Sequence, residues 1–268
     1  MSIILFSLFL GVLAWIGPGV TPCQAQVLNI EDPSTPLDSL KKSDFRYGFG
    51  LSGNIARQST WVYDYTILGE CVLHRNDQQQ LLVNTSWQST GSNRDVLLRS
   101  GFVYFRYTPG FHKPWAPQFF VQQQIDEGRG LQSRFLMGVN ARWDAITKRR
   151  FSMQWGVGVM REAETWNRTG NSSDSLGRVS FQLIKSNTVA RLFYRPNPKC
   201  EWSWVNFLQM PLLSGRSGVR WASQISLTLQ AWKWFNLQLN YVSMFDTHPV
   251  VDIPAYYFTS STGVSLTP

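Results

Sequence analysis

The stretch FVQQQIDEGRGLQSRFLMGVNARW, Phe120 to Trp143, decides how the chain is read. Taken in alternate positions, Val121, Ile125, Leu131, Phe135, Met137, Val139, Ala141 and Trp143 are apolar, whereas Gln122, Gln124, Asp126, Gln132, Arg134, Asn140 and Arg142 are polar. A repeat of two residues is that of a β-strand, whose successive side chains point to opposite faces of a sheet. Two such runs joined by EGRG make an antiparallel hairpin with one apolar and one polar face.

The same alternation recurs along the chain from Phe45. It is seen in FRYGFGLSGNI, TWVYDYTILGECVLHR, QQQLLVNTSWQS, FVYFRYT, FSMQWGVGVM, GVRWASQISLTLQAW and WFNLQLNYVSMF. Turn residues separate the runs: RNDQ, STGSN, EGRG, ITKRR, NRTGNSSDS, LSGRSG and DTHPVVDIP. With no helical segment between them, the runs predict an all-β, antiparallel, up-and-down sheet of about twelve strands over residues 44–268. Two places are ambiguous. Lys185 to Glu201 reads either as a strand or as a long irregular connection, and Val96 and Leu98 sit out of phase with Val103 and Phe105, which a bulge at Ser100–Gly101 would repair.

Ile3 to Val20 is an apolar run followed by TPCQAQ, which reads as a secretory signal over residues 1–25, cleaved after Ala25, although no Lys or Arg precedes the run. Gly11, Gly17, Pro18 and Gly19 argue against a membrane-spanning helix there, and Pro22 before Cys23 argues against a lipoprotein site. Residues 26–43 read as an irregular tail. The remaining Cys71 and Cys200 fall on distant strands, so no disulfide framework is expected.

Charged residues make up 16% of the chain and aromatic residues 14%, with 12 Trp and a net charge of +8. An exported chain with few charges and many aromatics has two homes. A soluble sheet would bury its apolar face in a core; a membrane barrel would turn that face to lipid and keep the polar face within. Three features favour the barrel. The polar face is rich in amides (Gln122, Gln124, Gln132, Asn140, Gln154, Gln182, Gln224, Gln238, Asn240), Gly138, Gly156 and Gly158 fall on it, and Trp and Tyr crowd the ends of the runs. Lipid then demands that every backbone polar group be paired, hence closure. The expected architecture is a closed antiparallel transmembrane β-barrel in a bacterial outer membrane. The expected partners are membrane lipid and lipopolysaccharide; export and the lack of a binding motif exclude nucleic acid.

FVQQQIDEGRGLQSRFLMGVNARW resembles the strand–turn–strand of the salt-induced outer-membrane protein family, a domain of unknown function, through Phe120, Val121, Gln122, Gln124, Leu131, Arg134, Leu136, Gly138 and Arg142. NFLQMPLLSGRSGVRWASQISLTL looks like that family's Tyr-x-Gln-Pro strand with a following Arg and Ser-Leu strand, and YVSMFDTHP like its Tyr-Asp-x-x-Pro element. Here Met210 separates Gln209 from Pro211, and the chain ends TGVSLTP rather than in an aromatic residue. The resemblance implies an outer-membrane barrel inserted by the barrel-assembly machinery, a link to salt or osmotic conditions, and no established activity.

The candidate lumen-lining residues are Gln122, Gln124, Asp126, Arg134, Asn140 and Arg142. Two readings suit them: a cationic lining that selects anions, or a structural hydrogen-bond network filling the bore, which is favoured because about twelve strands enclose a narrow space. An enzyme is the rival class. Asp246 and His248 form an Asp-x-His pair similar to that of omptin-like proteases, but no adjacent Asp pair completes such a site, and DTHP reads more simply as a turn. None of His74, His112 and His248 stands in the His-x-Ser arrangement of an outer-membrane phospholipase. No metal or cofactor motif appears. The chain is therefore expected to be a monomeric, non-catalytic barrel, either a narrow channel or an envelope-integrity component, with a secreted soluble β-protein as the other alternative.

Overall fold

The computed structural model of the chain describes residues 43–57, 61–75, 78–92, 95–167, 177–213, 218–232, 234–251 and 253–266. The signal, the tail and most of the NRTGNSSDS connection lie outside the described residues. The strands are β1 (Ser43–Arg57), β2 (Trp61–Arg75), β3 (Gln79–Ser92), β4 (Asp95–Pro109), β5 (Trp115–Asp126), β6 (Leu131–Lys148), β7 (Phe151–Asn167), β8 (Arg178–Asn197), β9 (Cys200–Pro211), β10 (Arg220–Trp232), β11 (Phe235–Asp246) and β12 (Tyr256–Leu266). They form one twelve-stranded sheet in chain order, each strand antiparallel to the next, with β1 and β12 as the first and last of the ladder.

Alternation sorts the side chains as the sequence predicts, and burial tells which face is covered. On β5, Phe119 is 48% and Val121 39% exposed, whereas Gln118, Gln122 and Gln124 are 3%, 5% and 2% exposed. The amides are covered and the hydrocarbon is not. Contacts between remote strands show why. Arg134 on β6 reaches Gln209 on β9 (3.3 Å), Arg220 on β10 reaches Glu162 on β7 (3.0 Å), and Arg129, in the turn before β6, reaches the Tyr257 hydroxyl on β12 (2.6 Å). Strands lie about 4.8 Å apart, so β6 and β12 would stand about 29 Å apart in a flat sheet. The sheet is therefore strongly curled, with its polar face concave.

Call the end where β1 begins the lower end. The lower connections are 76–78, 110–114, 149–150, 198–199 and 233–234; the longest ones, 168–177, 212–219 and 247–255, are all at the upper end. TPGFHKPWAP spans the end of β4, the 110–114 connection and the start of β5.

Of the two readings open for Lys185 to Glu201, the strand holds: the stretch is the second half of β8, a two-residue turn and the start of β9. Other expectations need correction. The irregularity in β4 lies at Leu97, not at Ser100–Gly101: Thr90 pairs with Leu98 and Gly91 with Val96, while Gly101 stays in register with Trp87. Leu131 is buried rather than outward, because the β6–β7 register shifts between Leu131 and Ser133. Gln182 belongs to the outer face, where its side chain accepts from exposed Arg161 (2.6 Å).

Candidate functional site: an ion-pair network on the concave face

β7 runs past the apolar stretch Phe151–Met160 into REAETWN, and the period of two continues through it. Glu162, Glu164 and Trp166 thus share the concave face. Register brings their partners. Arg134 is directly opposite Glu164, Lys185 is opposite Met160 and so diagonal to Glu162, and Gln209, Arg220 and Asp246 are mutually aligned on β9, β10 and β11.

The result is a connected cluster. Arg134 Nη2 lies 2.6 Å from Glu162 Oε1 and its Nε lies 3.0 Å from Glu164 Oε1. Arg220 Nη1 reaches Glu162 (3.0 Å) and Glu164 (2.8 Å), and its Nη2 lies 3.0 Å from Asp246 Oδ2. Lys185 pairs with the other oxygen of Glu162. The Trp166 indole donates to Glu164 (2.8 Å), and Arg134 also donates to Gln209 (3.3 Å). Arg134, Glu162 and Glu164 are 1%, 0% and 2% exposed. Three cations, Arg134, Lys185 and Arg220, face three carboxylates, Glu162, Glu164 and Asp246. Buried charges persist only when so paired, since an isolated one carries a large desolvation cost.

A second polar group fills the lower end. Arg142 donates to the backbone carbonyls of Phe111 and Lys113 (3.0 Å for the latter), pairs with Asp144 (3.1 Å) and lies over the Phe111 ring at 4.9 Å from its centroid. Gln154 donates to Asp144 (2.7 Å) and Arg191 to Gln154 (2.6 Å). From the other side, Arg106 donates to Gln80 (2.9 Å), Gln80 meets His74 (3.1 Å), and the His74 ring lies 5.2 Å from that of Phe111. The buried Phe111 is thus turned in from the β4–β5 connection and held among polar groups.

Between the two ends, Phe120, Leu136 and Met160 form an apolar cluster on the concave face with Tyr104 packed against it. The Phe120 ring lies over Gly138: a Cβ there would stand 2.7 Å from Cζ of the ring.

All six candidate lining residues lie on the concave face and are buried. They do not converge on one site. Arg134 belongs to the upper network, with Gln124 opposite it on β5. Gln122 donates to Gln124 (3.3 Å), Asn140 accepts from Asn187 (3.2 Å), and Arg142 belongs to the lower group. Asp126 is buried at the upper end of β5. Eight residue steps along β6 separate the two arginines, roughly 27 Å. The sequence reading missed Glu162, Glu164, Lys185 and Arg220; the available signal was the spacing of Glu162, Glu164 and Trp166.

The Asp246 carboxylate and the His248 imidazole each engage other groups. The Asp246 carboxylate accepts from Arg220 and from the His248 backbone N–H (3.0 Å for each), and the imidazole Nδ1 lies 3.0 Å from the Thr247 hydroxyl. Among the described residues no group of His, Cys, Asp and Glu is placed to hold a metal ion. No helix among them is long and apolar enough to cross a membrane, which says nothing of strands. Cys71 and Cys200 are free thiols. No protein-family model and no curated protein matches the chain.

Proposed function

We propose that the chain is a monomeric outer-membrane β-barrel, closed by pairing of β1 with β12, non-catalytic, and occluded in its resting state: an envelope component rather than an open pore. The observation that carries this reading is the inverted burial. Phe119, Val121, Phe135, Met137, Val139, Val157 and Val159 are exposed, while Arg134, Glu162 and Glu164 are not. Each large apolar side chain left in water forgoes about 1.5–3 kcal/mol of burial. So many on one face is untenable for a soluble sheet and natural for one bathed in hydrocarbon.

The dimensions agree. Outward residues on β6 are apolar from Phe135 to Trp143; eight steps at about 3.4 Å, tilted by about 40°, give a band about 21 Å tall, against about 25 Å for outer-membrane barrels. Aromatics mark its lower margin. Trp115 and Trp143 stack at 5.4 Å, and Trp232, Trp234 and Phe235 cluster at the β10–β11 turn. Such rings are stable at the headgroup level. The secretory signal and the family resemblance point the same way, and the resemblance adds a role under salt or osmotic stress. Lipopolysaccharide phosphates are the fitting partners for the excess of basic residues, and insertion would fall to the barrel-assembly machinery.

Occlusion follows from the two polar groups. A twelve-stranded barrel has a radius of about 12 Å, and side chains bridge strands across the concave face at the upper end, while Phe111 is tucked in below. Arg134 and Arg142, which a cationic, anion-selecting lining would use, are engaged instead by carboxylates, a side-chain amide and backbone carbonyls. Expression in a Gram-negative host tests the reading: the protein should fractionate with the outer membrane, show a folded gel form whose mobility changes on boiling, and resist urea extraction. Recovery as a soluble periplasmic protein would overturn it. Peptidase and esterase assays, repeated with His248→Ala, test the hydrolase alternative, and no activity dependent on His248 is expected.

A further inference from the structure

Basic residues gather at one place on the lower end, beneath a row of aromatic rings. Residues paired directly across neighbouring strands share a face of the sheet. Lys148 on β6 is opposite Phe151 on β7, Phe151 is opposite Tyr194 on β8, and Tyr194 is opposite Trp202 on β9. Phe151 has the parity of Trp155, which is opposite the outward Trp143, so the whole row stands on the outer face. The Phe151 and Tyr194 rings meet edge to face, 6.3 Å between centroids. Directly below the row, the turns joining β6 to β7 and β8 to β9 carry Arg149, Arg150 and Lys199, and these three and Lys148 are all exposed. The end of β8 is tied to the first of these turns, because the Arg195 backbone N–H donates to the Arg150 carbonyl (2.8 Å). Among the described residues the carboxylates at this end of β6 to β9 are Asp144 and Glu201. Asp144 pairs with Arg142 and Glu201 with Arg195, so they offset those arginines rather than the four exposed cations.

We infer that the lower turns between β6 and β7 and between β8 and β9 form a docking site for the headgroup phosphate of an anionic phospholipid. This rests on the barrel reading above, in which short turns face the periplasm and long loops the outside; the lower end is then ringed by the phospholipid leaflet. Lipopolysaccharide, in the opposite leaflet, is left to basic residues of the upper end such as the exposed Arg57 and Arg178. Two features select a lipid over a soluble anion. The cations are continuous with the lipid-facing surface, since Lys148 stands in the aromatic row itself. A lysine at such a margin lays its stem on hydrocarbon and holds its ammonium among the headgroups. The acyl chains also have a surface to lie on. Ile146, Met153, Leu192 and Trp204 make the next row up, again in register across β6, β7, β8 and β9. A phosphate at the turns with its chains over this row engages both at once. Guanidinium groups such as those of Arg149 and Arg150 suit phosphate oxygens through paired N–H donors. Attraction of basic residues to an anionic lipid surface fades within about 8 Å, so cations on two adjacent turns act on one patch of headgroups.

The test uses the full-length protein folded into phosphatidylcholine vesicles that carry brominated phosphatidylglycerol or brominated phosphatidylcholine as a minor component. Quenching of tryptophan fluorescence reads which lipid sits against the aromatic rings, and heat-modifiable gel mobility checks the folded state in parallel. Wild type should prefer brominated phosphatidylglycerol over brominated phosphatidylcholine by roughly fivefold or more. Lys148→Gln with Arg149→Gln and Arg150→Gln should bring that ratio to about one with gel mobility unchanged. Arg57→Gln with Arg178→Gln, at the upper end, should keep the wild-type preference. Equal quenching by the two lipids in wild type overturns the site, as does a preference that survives the triple change in folded protein. A loss in the upper-end variant as large as in the triple variant overturns it too, since the attraction would then be spread over the whole barrel. Should the triple variant fail to fold, Arg149→Gln with Lys199→Gln should still lower the preference by roughly threefold, and an unchanged ratio there overturns the site equally. A wild-type chain quenched by neither lipid, or lacking any heat-modifiable form, counts against the barrel reading and removes the site with it.

Discussion

Gly156 and Gly158 stand two residues apart on the same face of β7, and the sequence gives no reason to rank them. Geometry does. A Cβ on Gly158 would collide with the Val139 carbonyl oxygen and with Asn140, whereas one on Gly156 would meet its nearest neighbour, Val189, at an ordinary 3.7 Å. Gly158→Ala should therefore destabilise the folded form by about 1–3 kcal/mol through overpacking, and Gly156→Ala should change it by less than about 0.5 kcal/mol. Urea titration of the protein in lipid vesicles, followed by tryptophan fluorescence, measures both; equal effects would contradict the strand packing. Charge is a sharper residue-scale test. Glu162→Ala strips one carboxylate from three buried cations. The cost of breaking a buried pair is about 3–5 kcal/mol, so this variant should lose its folded gel form at markedly lower urea than Arg161→Ala, whose guanidinium is exposed on the outer face.

At the scale of the strand, alternation made most of the architecture readable. Because side chains alternate strictly, Gln122, Gln124, Arg134, Asn140 and Arg142 could be assigned to one face from spacing alone, and the coordinates put them there. What spacing could not show is what faces them. Arg134 meets Glu162 one strand away and Gln209 three strands away, and those encounters depend on curl and register that no local pattern encodes. The glutamates were overlooked because charges near a strand end resemble the start of a loop. Leu131 was misassigned because a bulge shifts parity without leaving a mark in hydropathy, and the position of the β4 bulge was misread for the same reason. Phe120, Leu136 and Met160 break the rule that the concave face is polar; they are held there by Gly138, which makes room for the Phe120 ring. The strand also supplies a test of its environment. Val139 lies in the middle of the outward apolar run of β6, between Phe135 and Trp143. If hydrocarbon surrounds it, Val139→Arg should cost about 2–4 kcal/mol. The same change on a strand face bathed in water would be nearly neutral. Unfolding in vesicles of different acyl-chain length reads this out, and a neutral result in all of them would place β6 outside a bilayer.

For the molecule as a whole, the open question in the ladder is its two ends. β1 carries Phe45, Tyr47, Phe49, Leu51 and Ile55 on one face, all highly exposed, and is paired on one side only by β2. β12 is likewise paired on one side, by β11. Among the described residues neither edge strand has a second partner strand in the ladder, and an open strand edge is tolerated by water and not by hydrocarbon. The sheet already curls far enough for Arg129 to reach Tyr257, and an even number of strands leaves β1 and β12 antiparallel. Closure satisfies both edges at once and is the arrangement a lipid surround requires. A cysteine placed at Gly50 near the middle of β1, combined in turn with a cysteine at each position of β12 from Tyr256 to Leu266, tests it. Cys71 and Cys200 are first changed to Ser, being free thiols that would confuse the result. Cross-strand disulfides form where Cα atoms lie about 4.4–6.8 Å apart. A closed barrel should thus give intramolecular cross-linking that peaks at one or two positions of β12 and fades on either side, and that peak fixes the register of the seam. Uniformly absent cross-linking in folded, membrane-inserted protein would leave the edges apart, and a second copy or another chain would then have to cover them.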